Sequence, residues 1–324
     1  MSEGTPLSVV VHARFARPPI LARLAEIDGV TVTEAETLAQ IADLARDADV
    51  LAIPDPSPAD GELIAAALSA PDCRVRLVQC LSAGFDGLLR YLVPERVAVT
   101  AQGGAMAVPV AEHAVALLLG LTRQIATIGE RSRAATWDRN FDPPLTSLEG
   151  KTAAIIGFGH IGCEVAKRLR AFGMHVIAVA RRAPDAGLAD EHVPFAALPD
   201  ALARADVIVV TVALAEETRG LFGTRILAAC KPGVLLINVA RGEIVDQAAL
   251  RVALESGTLG GAAIDVTVPE PLPVDDPLWQ APRLIISPHV AGAGSTLAAR
   301  KLSGLVAENV RRLRDGEPFL HQVR

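Results

Sequence analysis

Along the first hundred residues, apolar and polar positions alternate in two ways. Short apolar runs, "LSVVVHARF", "VTVTEA", "DVLAIP", "VRLVQCLSAG" and "VAVTAQG", are separated by "PPILARLAEI", "LAQIADLARDA" and "GELIAAALSA", where apolar residues recur at helical spacing. The first kind suits strands of a buried parallel sheet, and the second suits the helices that cover it. The alternation resumes near residue 150, with strands predicted at "KTAAIIGFG", "HVIAVAR", "ADVIVVTV", "GVLLINVA", "GAAIDVTV" and "RLIISPH" and helical stretches between most of them. Six strands joined by crossovers match a doubly wound dinucleotide-binding sheet. The expected class is α/β, with two doubly wound parallel sheets.

Three further segments complete the pattern. From Val108 to Arg123, leucines and valines lie nearly all round the helical wheel, which predicts a long helix buried between two bodies and connecting them. Trp137 to Glu149 is polar and proline-containing, as a crossing loop would be. The stretch "STLAARKLSGLVAENVRRLRDG" reads as an amphipathic helix ending at Gly316, and the sequence alone does not say which sheet it joins.

Length supports two bodies, because 324 residues exceed what one hydrophobic core of roughly 250–300 residues organises. No apolar run approaches the roughly 18 residues of a membrane span, and the start of the chain shows no basic leader, so a cytoplasmic protein is expected. The net charge is −6 with basic residues scattered, which argues against nucleic acid as a partner and for a small molecule. Cys73, Cys80, Cys163 and Cys230 are far apart and form no C-x-x-C or Cys/His cluster; neither a disulfide framework nor a metal site is indicated.

Gly157, Gly159 and Gly162 form G-x-G-x-x-G between the strand "TAAII" and the helix "CEVAKRLRAF". That context turns a weak motif into a pyrophosphate site: the first glycine makes the turn, the second admits the phosphates and the third lets helix and strand pack. His160 and Ile161 lie inside the same cofactor-facing stretch. The ribose-binding acid expected at the next strand end is absent, and "HVIAV" runs into Ala180, Arg181 and Arg182. Two guanidinium groups in place of a carboxylate favour a 2′-phosphate, hence NADP over NAD. The bland alternative is that both arginines begin a solvated loop.

Ligands of open α/β sheets sit at the carboxyl ends of the strands. Three consecutive strand ends of the second sheet deliver Arg241, then Asp265 with Glu270 beyond it, then His289. Singly, each has an ordinary surface or turn reading. As a set they suit hydride transfer to a 2-oxo acid: Arg241 holds the carboxylate and polarises the carbonyl, His289 donates the proton, and Glu270 orients the ring. Asp265 reads as a cofactor or supporting group. His113 reads as a satisfied core residue. In the first half, Ser82, Ala83 and Gly84 form a small-residue turn after a strand, either an anion-binding nest or an ordinary turn.

With these residues in view, the chain resembles the D-isomer-specific 2-hydroxyacid dehydrogenase family, most of all its glyoxylate/hydroxypyruvate reductase-like, NADP-using members. "LSAGFDGL", "VAEHAVALLLGLTR", "LEGKTAAIIGFGHIG", "LLINVARGEIVDQAAL", "DVTVPEPLP" and "SPHVAG" carry the resemblance over nearly the whole chain. It implies a Rossmann-like cofactor domain, residues 101–290, inserted into a flavodoxin-like substrate-binding domain of residues 1–100 and 291–324, and a homodimer formed largely through the cofactor domain. It implies Arg241, Glu270 and His289 as the catalytic set and the amides of Ala83 and Gly84 as carboxylate ligands. Val212, Ala213, Val239, Ala240 and Asp265 would line the cofactor pockets. Ala213 stands where a proline is usual, which bears on the adenine wall, and Thr267 where an aromatic is frequent, which bears on the substrate rather than the reaction. Glu270, where the formate branch has glutamine, disfavours that branch. The rival reading is a dinucleotide-sensing, corepressor-like binding protein of the same fold.

Overall fold

A computed structural model describes residues 6–91, 93–185 and 187–324, and the chain divides into two compact units, Met1–Met106 with Ala293–Arg324, and Ala107–Gly292. The first unit contains β1 (Leu7–Val11), α1 (Arg17–Ala25), β2 (Val30–Glu34), α2 (Leu38–Leu44), β3 (Val50–Ile53), α3 (Pro58–Ser69), β4 (Leu77–Cys80), α4 (Asp86–Arg90) and β5 (Ala98–Thr100). Its sheet is parallel, in the order β2-β1-β3-β4-β5, the flavodoxin-like 2-1-3-4-5 arrangement. β3 and β4 are buried at every position, whereas β2 is an edge strand with little buried, hence the alternation in "VTVTE". Thr37 and Gln40 cap α2 reciprocally.

The second unit contains α5 (Ala107–Thr122), α6 (Ile125–Arg133), β6 (Thr152–Ile156), α7 (His160–Ala171), β7 (His175–Val179), β8 (Glu191–Val193), α8 (Leu198–Leu202), β9 (Val207–Val210), α9 (Thr224–Ala228), β10 (Val234–Asn238), α10 (Gln247–Glu255), β11 (Leu259–Ile264) and β12 (Leu284–Ile286). Its seven parallel strands run β8-β7-β6-β9-β10-β11-β12. This is the 3-2-1-4-5-6 order of a dinucleotide-binding sheet with one strand added at the far edge, and the order reverses between β6 and β9.

Among the elements that were not predicted are β8 and α6. β8 is a three-residue edge strand, "EHV", too short and polar to stand out. α6 buries none of its residues, so it shows no apolar stripe directed at this chain. The helix expected to connect two bodies, α5, belongs to the second unit and packs on α7, β10 and β11.

The last helix, α11 (Thr296–Asp315), settles the open question of the tail by joining the first unit, where it packs on α1. A buried polar link pins it there: Asn309 Nδ2 donates to Gln79 Oε1 at 2.8 Å, and Thr100 Oγ1 donates to the same oxygen at 2.9 Å. Asn309 and Gln79 are both fully buried, so each bond offsets a desolvation cost that would otherwise stand alone.

Candidate active site

At the carboxyl end of β6 the glycines are held by three different constraints. Gly157 has φ +94°, and a Cβ there would lie 2.5 Å from Val212 Cα, so both conformation and packing exclude a side chain. A Cβ on Gly162 would press on the carbonyl oxygen of Gly157. Gly159 differs: a Cβ there would meet nothing within 4 Å, and α7 starts beside it with no side chain capping its first turn. An uncapped helix amino end facing open space is a cradle for an anion, and it fits a pyrophosphate. Gly157 N–H donates to Val179 O at 2.9 Å, and Thr211 Oγ1 donates to Gly157 O at 2.6 Å, fixing the loop to the strands on either side.

His160 and Ile161 are the first two residues of α7. Val212 and Ala213 follow β9, and Val239 and Ala240 follow β10. These predicted cofactor residues therefore lie on neighbouring strand ends, around the point where strand order reverses. Past β7, Ala180 is buried and its carbonyl accepts from His192 Nε2 at 3.0 Å, which gives that histidine a partner the sequence had not supplied. Arg181 and Arg182 follow on the surface, and among the described residues neither takes a hydrogen bond or ion pair.

Arg241 leaves β10 on a short bridge braced by buried Asn238, which accepts Ala240 N–H at 3.1 Å and donates to Arg241 O at 3.0 Å. The next residue, Gly242, comes so close to Thr267 that a Cβ would press on its carbonyl carbon and oxygen. This contact joins the Arg241 strand end to the loop after β11. In that loop Glu270 Oε1 accepts Thr267 N–H at 3.1 Å, and Oε2 lies 2.7 Å from His289 Nδ1. The two side chains are 39% and 48% exposed. The hydrogen bond to Glu270 holds the His289 pKa above the ordinary imidazole value, against the opposing effect of burial. Burial would raise the Glu270 carboxyl, but the bond and charge of His289, with Thr267 N–H and the Arg241 charge, hold it below the usual range.

Asp265, 1% exposed, turns out to hold the loop that carries His289. Its backbone oxygen accepts His289 N–H at 2.8 Å, and its carboxylate accepts Val290 N–H at 3.0 Å, Ala291 N–H at 2.9 Å and the Ser287 hydroxyl. His289 itself has φ +52°, which a non-glycine residue seldom adopts. The left-handed turn directs successive N–H groups at one carboxylate, as in an anion nest. The roles of Gly242 and Ser287 in this assembly were missed by the sequence reading, although a glycine directly after Arg241 is the kind of residue that marks a close backbone approach.

Ala83 and Gly84 lie in the first unit, in the turn between β4 and α4. Asp55 braces that turn: its N–H donates to Ser82 Oγ at 3.0 Å, and its carboxylate accepts Gly87 and Leu88 N–H at 3.1 and 3.0 Å. A cavity of about 600 Å³ in the second unit, lined by Lys151, Val207, Val234, Gly260 and Leu284 among others, opens at the amino ends of the strands. It lies at the opposite end of the sheet from Arg241, Glu270 and His289, so it is not where these three meet a substrate.

Fold and strand-end residues together define a two-unit α/β protein of the dinucleotide-binding class. More narrowly, the chain belongs to the D-isomer specific 2-hydroxyacid dehydrogenase family, whose NAD binding domain model matches residues 115–291. It is 36% identical over 84% of its length to D-3-phosphoglycerate dehydrogenase of Mycobacterium leprae, but spans about half the length of that relative (50%). It is 32% identical to glyoxylate reductase of Korarchaeum cryptofilum, over 84% of this chain and 81% of that one. A family member from Xanthobacter autotrophicus, solved with NADPH and MES, matches with TM-score 0.79 and 28% identity over 98% of both chains.

Proposed function

We propose that this chain is an oxidoreductase that uses NADPH, and NADH less well, to reduce a small 2-oxo acid such as glyoxylate or hydroxypyruvate to the D-2-hydroxy acid. The observation that carries the reading is the Glu270–His289 pair at 2.7 Å, close enough to Arg241 for its charge to act on both partners. Because Nδ1 of His289 is engaged by Glu270, Nε2 is the nitrogen that delivers the proton to the substrate oxygen. Glu270 favours the protonated ring and fixes its plane. Arg241 takes the substrate carboxylate and polarises the adjacent carbonyl.

Gly157, Gly159, His160, Ile161 and Gly162 would hold the cofactor pyrophosphate. Val212, Ala213, Val239 and Ala240 would line its pocket with Asp265, and Arg181 and Arg182 would take a 2′-phosphate. When bound, the reduced nicotinamide supplies the hydride. The NADPH complex of the Xanthobacter relative supports the cofactor assignment, and the Korarchaeum glyoxylate reductase supports the substrate class. A homodimer is part of the proposal, supported by α6, which buries nothing in this chain, and by Trp137 beside it, 89% exposed. Four free cysteines suit the reducing cytoplasm, and among the described residues no helix is long and apolar enough to cross a membrane.

The test is a panel of glyoxylate, hydroxypyruvate and other short 2-oxo acids with NADPH and with NADH, followed by nicotinamide absorbance. D-3-phosphoglycerate with NADP and NAD is included because of the Mycobacterium relative. Replacing Arg181 and Arg182 with serine should lower kcat/KM for NADPH by roughly 10- to 100-fold, the loss of one or two charge-assisted contacts, while NADH changes little. Equal kcat/KM for the two cofactors in the parent protein would overturn the cofactor assignment. No turnover on any substrate would favour the dinucleotide-sensing binding protein.

A further inference from the structure

We propose that His113, on α5, is a positioning residue for His289 and acts through Ser287 and Asp265; the inference rests on the reading of His289 as the proton donor. His113 is 25% exposed, and its Nε2 lies 2.9 Å from Ser287 Oγ and 3.4 Å from Asp265 Oδ1. The Ser287 hydroxyl has a single hydrogen, which it gives to Asp265 Oδ1. Its remaining contact with His113 is therefore one in which it accepts, so Nε2 carries a hydrogen. The chain of donation runs from the helix through the hydroxyl to the carboxylate.

That carboxylate is the hub of the loop. It accepts N–H of Val290 and Ala291, while the backbone oxygen of Asp265 accepts N–H of His289. These bonds hold His289 at φ +52°, a conformation the chain would otherwise leave. Without the His113 N–H, the Ser287 hydroxyl is free to turn away from Oδ1. The carboxylate then loses a donor on the side facing α5, and its grip on the turn loosens. The effect reaches the reacting ring through its backbone, independently of Glu270, which holds the ring from its other side. Two other histidines show the contrast: His12 bonds to Ala35 O and His192 to Ala180 O, each ending on a backbone carbonyl rather than on a chain of side-chain donors.

The test compares His113→Ala, His113→Gln, Ser287→Ala and the His113→Ala/Ser287→Ala double variant, reading kcat and KM for glyoxylate with NADPH, NADPH affinity by nicotinamide fluorescence, and the thermal midpoint. His113→Ala should lower kcat by roughly tenfold with KM and NADPH affinity within about twofold, because the site is loosened rather than dismantled. His113→Gln, whose amide can donate to the same hydroxyl, should recover most of the loss. The double variant should be no worse than the worse single one, since both remove the same link. An unchanged kcat in His113→Ala, independent losses that multiply in the double variant, or a loss that glutamine leaves unrepaired would overturn the proposal. Should His113→Ala fail to fold, an unchanged kcat in Ser287→Ala overturns it equally. His289→Gln separates the two readings: retained turnover there removes the proton-donor assignment itself, whereas an inactive His289→Gln beside a fully active His113→Ala removes only the positioning role.

Discussion

Gly242→Ala is the smallest change that should disable the site without touching a reacting group. Gly242 is not among the glycines with positive φ, so its backbone accepts alanine and the effect is purely steric. The new methyl group would press on the carbonyl carbon and oxygen of Thr267 and lie 2.9 Å from its Cα, where carbon atoms normally keep ~3.5–4.0 Å apart. One of the two loops must therefore retreat by about 1 Å. Thr267 cannot move alone, because its N–H is bonded to Glu270 Oε1 at 3.1 Å and its hydroxyl to Pro269 O at 2.9 Å. Retreat carries Glu270 away from His289, or carries Arg241 away from both. Overpacking of this kind costs about 1–3 kcal/mol, and at about 2–4 °C per kcal/mol for a unit of this size the thermal midpoint should fall by roughly 2–12 °C. A displacement near 1 Å at reacting groups costs up to about 100-fold in turnover. NADPH affinity should fall less than turnover, because the pyrophosphate loop follows β6, separated from β10 by β9, and only Val239, Ala240 and Asp265 of the cofactor pocket adjoin the displaced residues. Thermal melts, cofactor fluorescence titration and steady-state kinetics with glyoxylate measure all three. A Gly242→Ala protein with kcat within twofold of the parent would falsify the claim that this contact sets the geometry.

Glu270→Gln tests the ion pair by its titration. The His289 pKa is raised, so in the reductive direction kcat/KM should stay on its plateau to a pH above the ordinary imidazole value and fall as the ring loses its proton. With the carboxylate gone, the descending limb should move to lower pH; an unmoved limb would mean that Glu270 does not act through the ring. Asp265→Asn keeps the shape but removes the charge and one acceptor oxygen, leaving a buried donor unpaired at a cost of about 1–3 kcal/mol. Urea unfolding should show the lost stability together with a lower kcat, and a variant as stable as the parent would contradict the loop assignment.

How much of this was legible beforehand depended on how far each constraint reaches along the chain. β3 and β4 could be read because a strand buried on both faces declares itself in four consecutive residues. The glycine loop could be read for the same reason, its three requirements falling within six residues. Strand β8 could not, since three residues at a sheet edge carry no period. Nor could α6, whose two isoleucines, Ile125 and Ile128, are 55% and 42% exposed and leave no buried stripe to detect. Arg241, Glu270 and His289 were accessible because strand ends are accessible. The groups that aim them were not, since Gly242 meets Thr267 and His113 meets Ser287 only once the sheet has formed.

His289 shows the consequence for mechanism. Nothing in "SPHV" announces a left-handed residue, and such a conformation costs of order 1–3 kcal/mol on its own. The cost is offset from 24 residues upstream, by two backbone N–H bonds to the Asp265 carboxylate, worth roughly 1.5–3 kcal/mol each as bonds to a charged group. The turn is thus held by Asp265 whether or not Glu270 bonds the ring. Backbone placement of His289 is consequently set by Asp265, whereas its ring plane and, foremost, its protonation are set by Glu270, the Asp265 charge adding a smaller push in the same direction. This is why removing the Glu270 charge should shift the pH limb while leaving the His289 backbone in place, and why disturbing Asp265 should lower turnover at every pH.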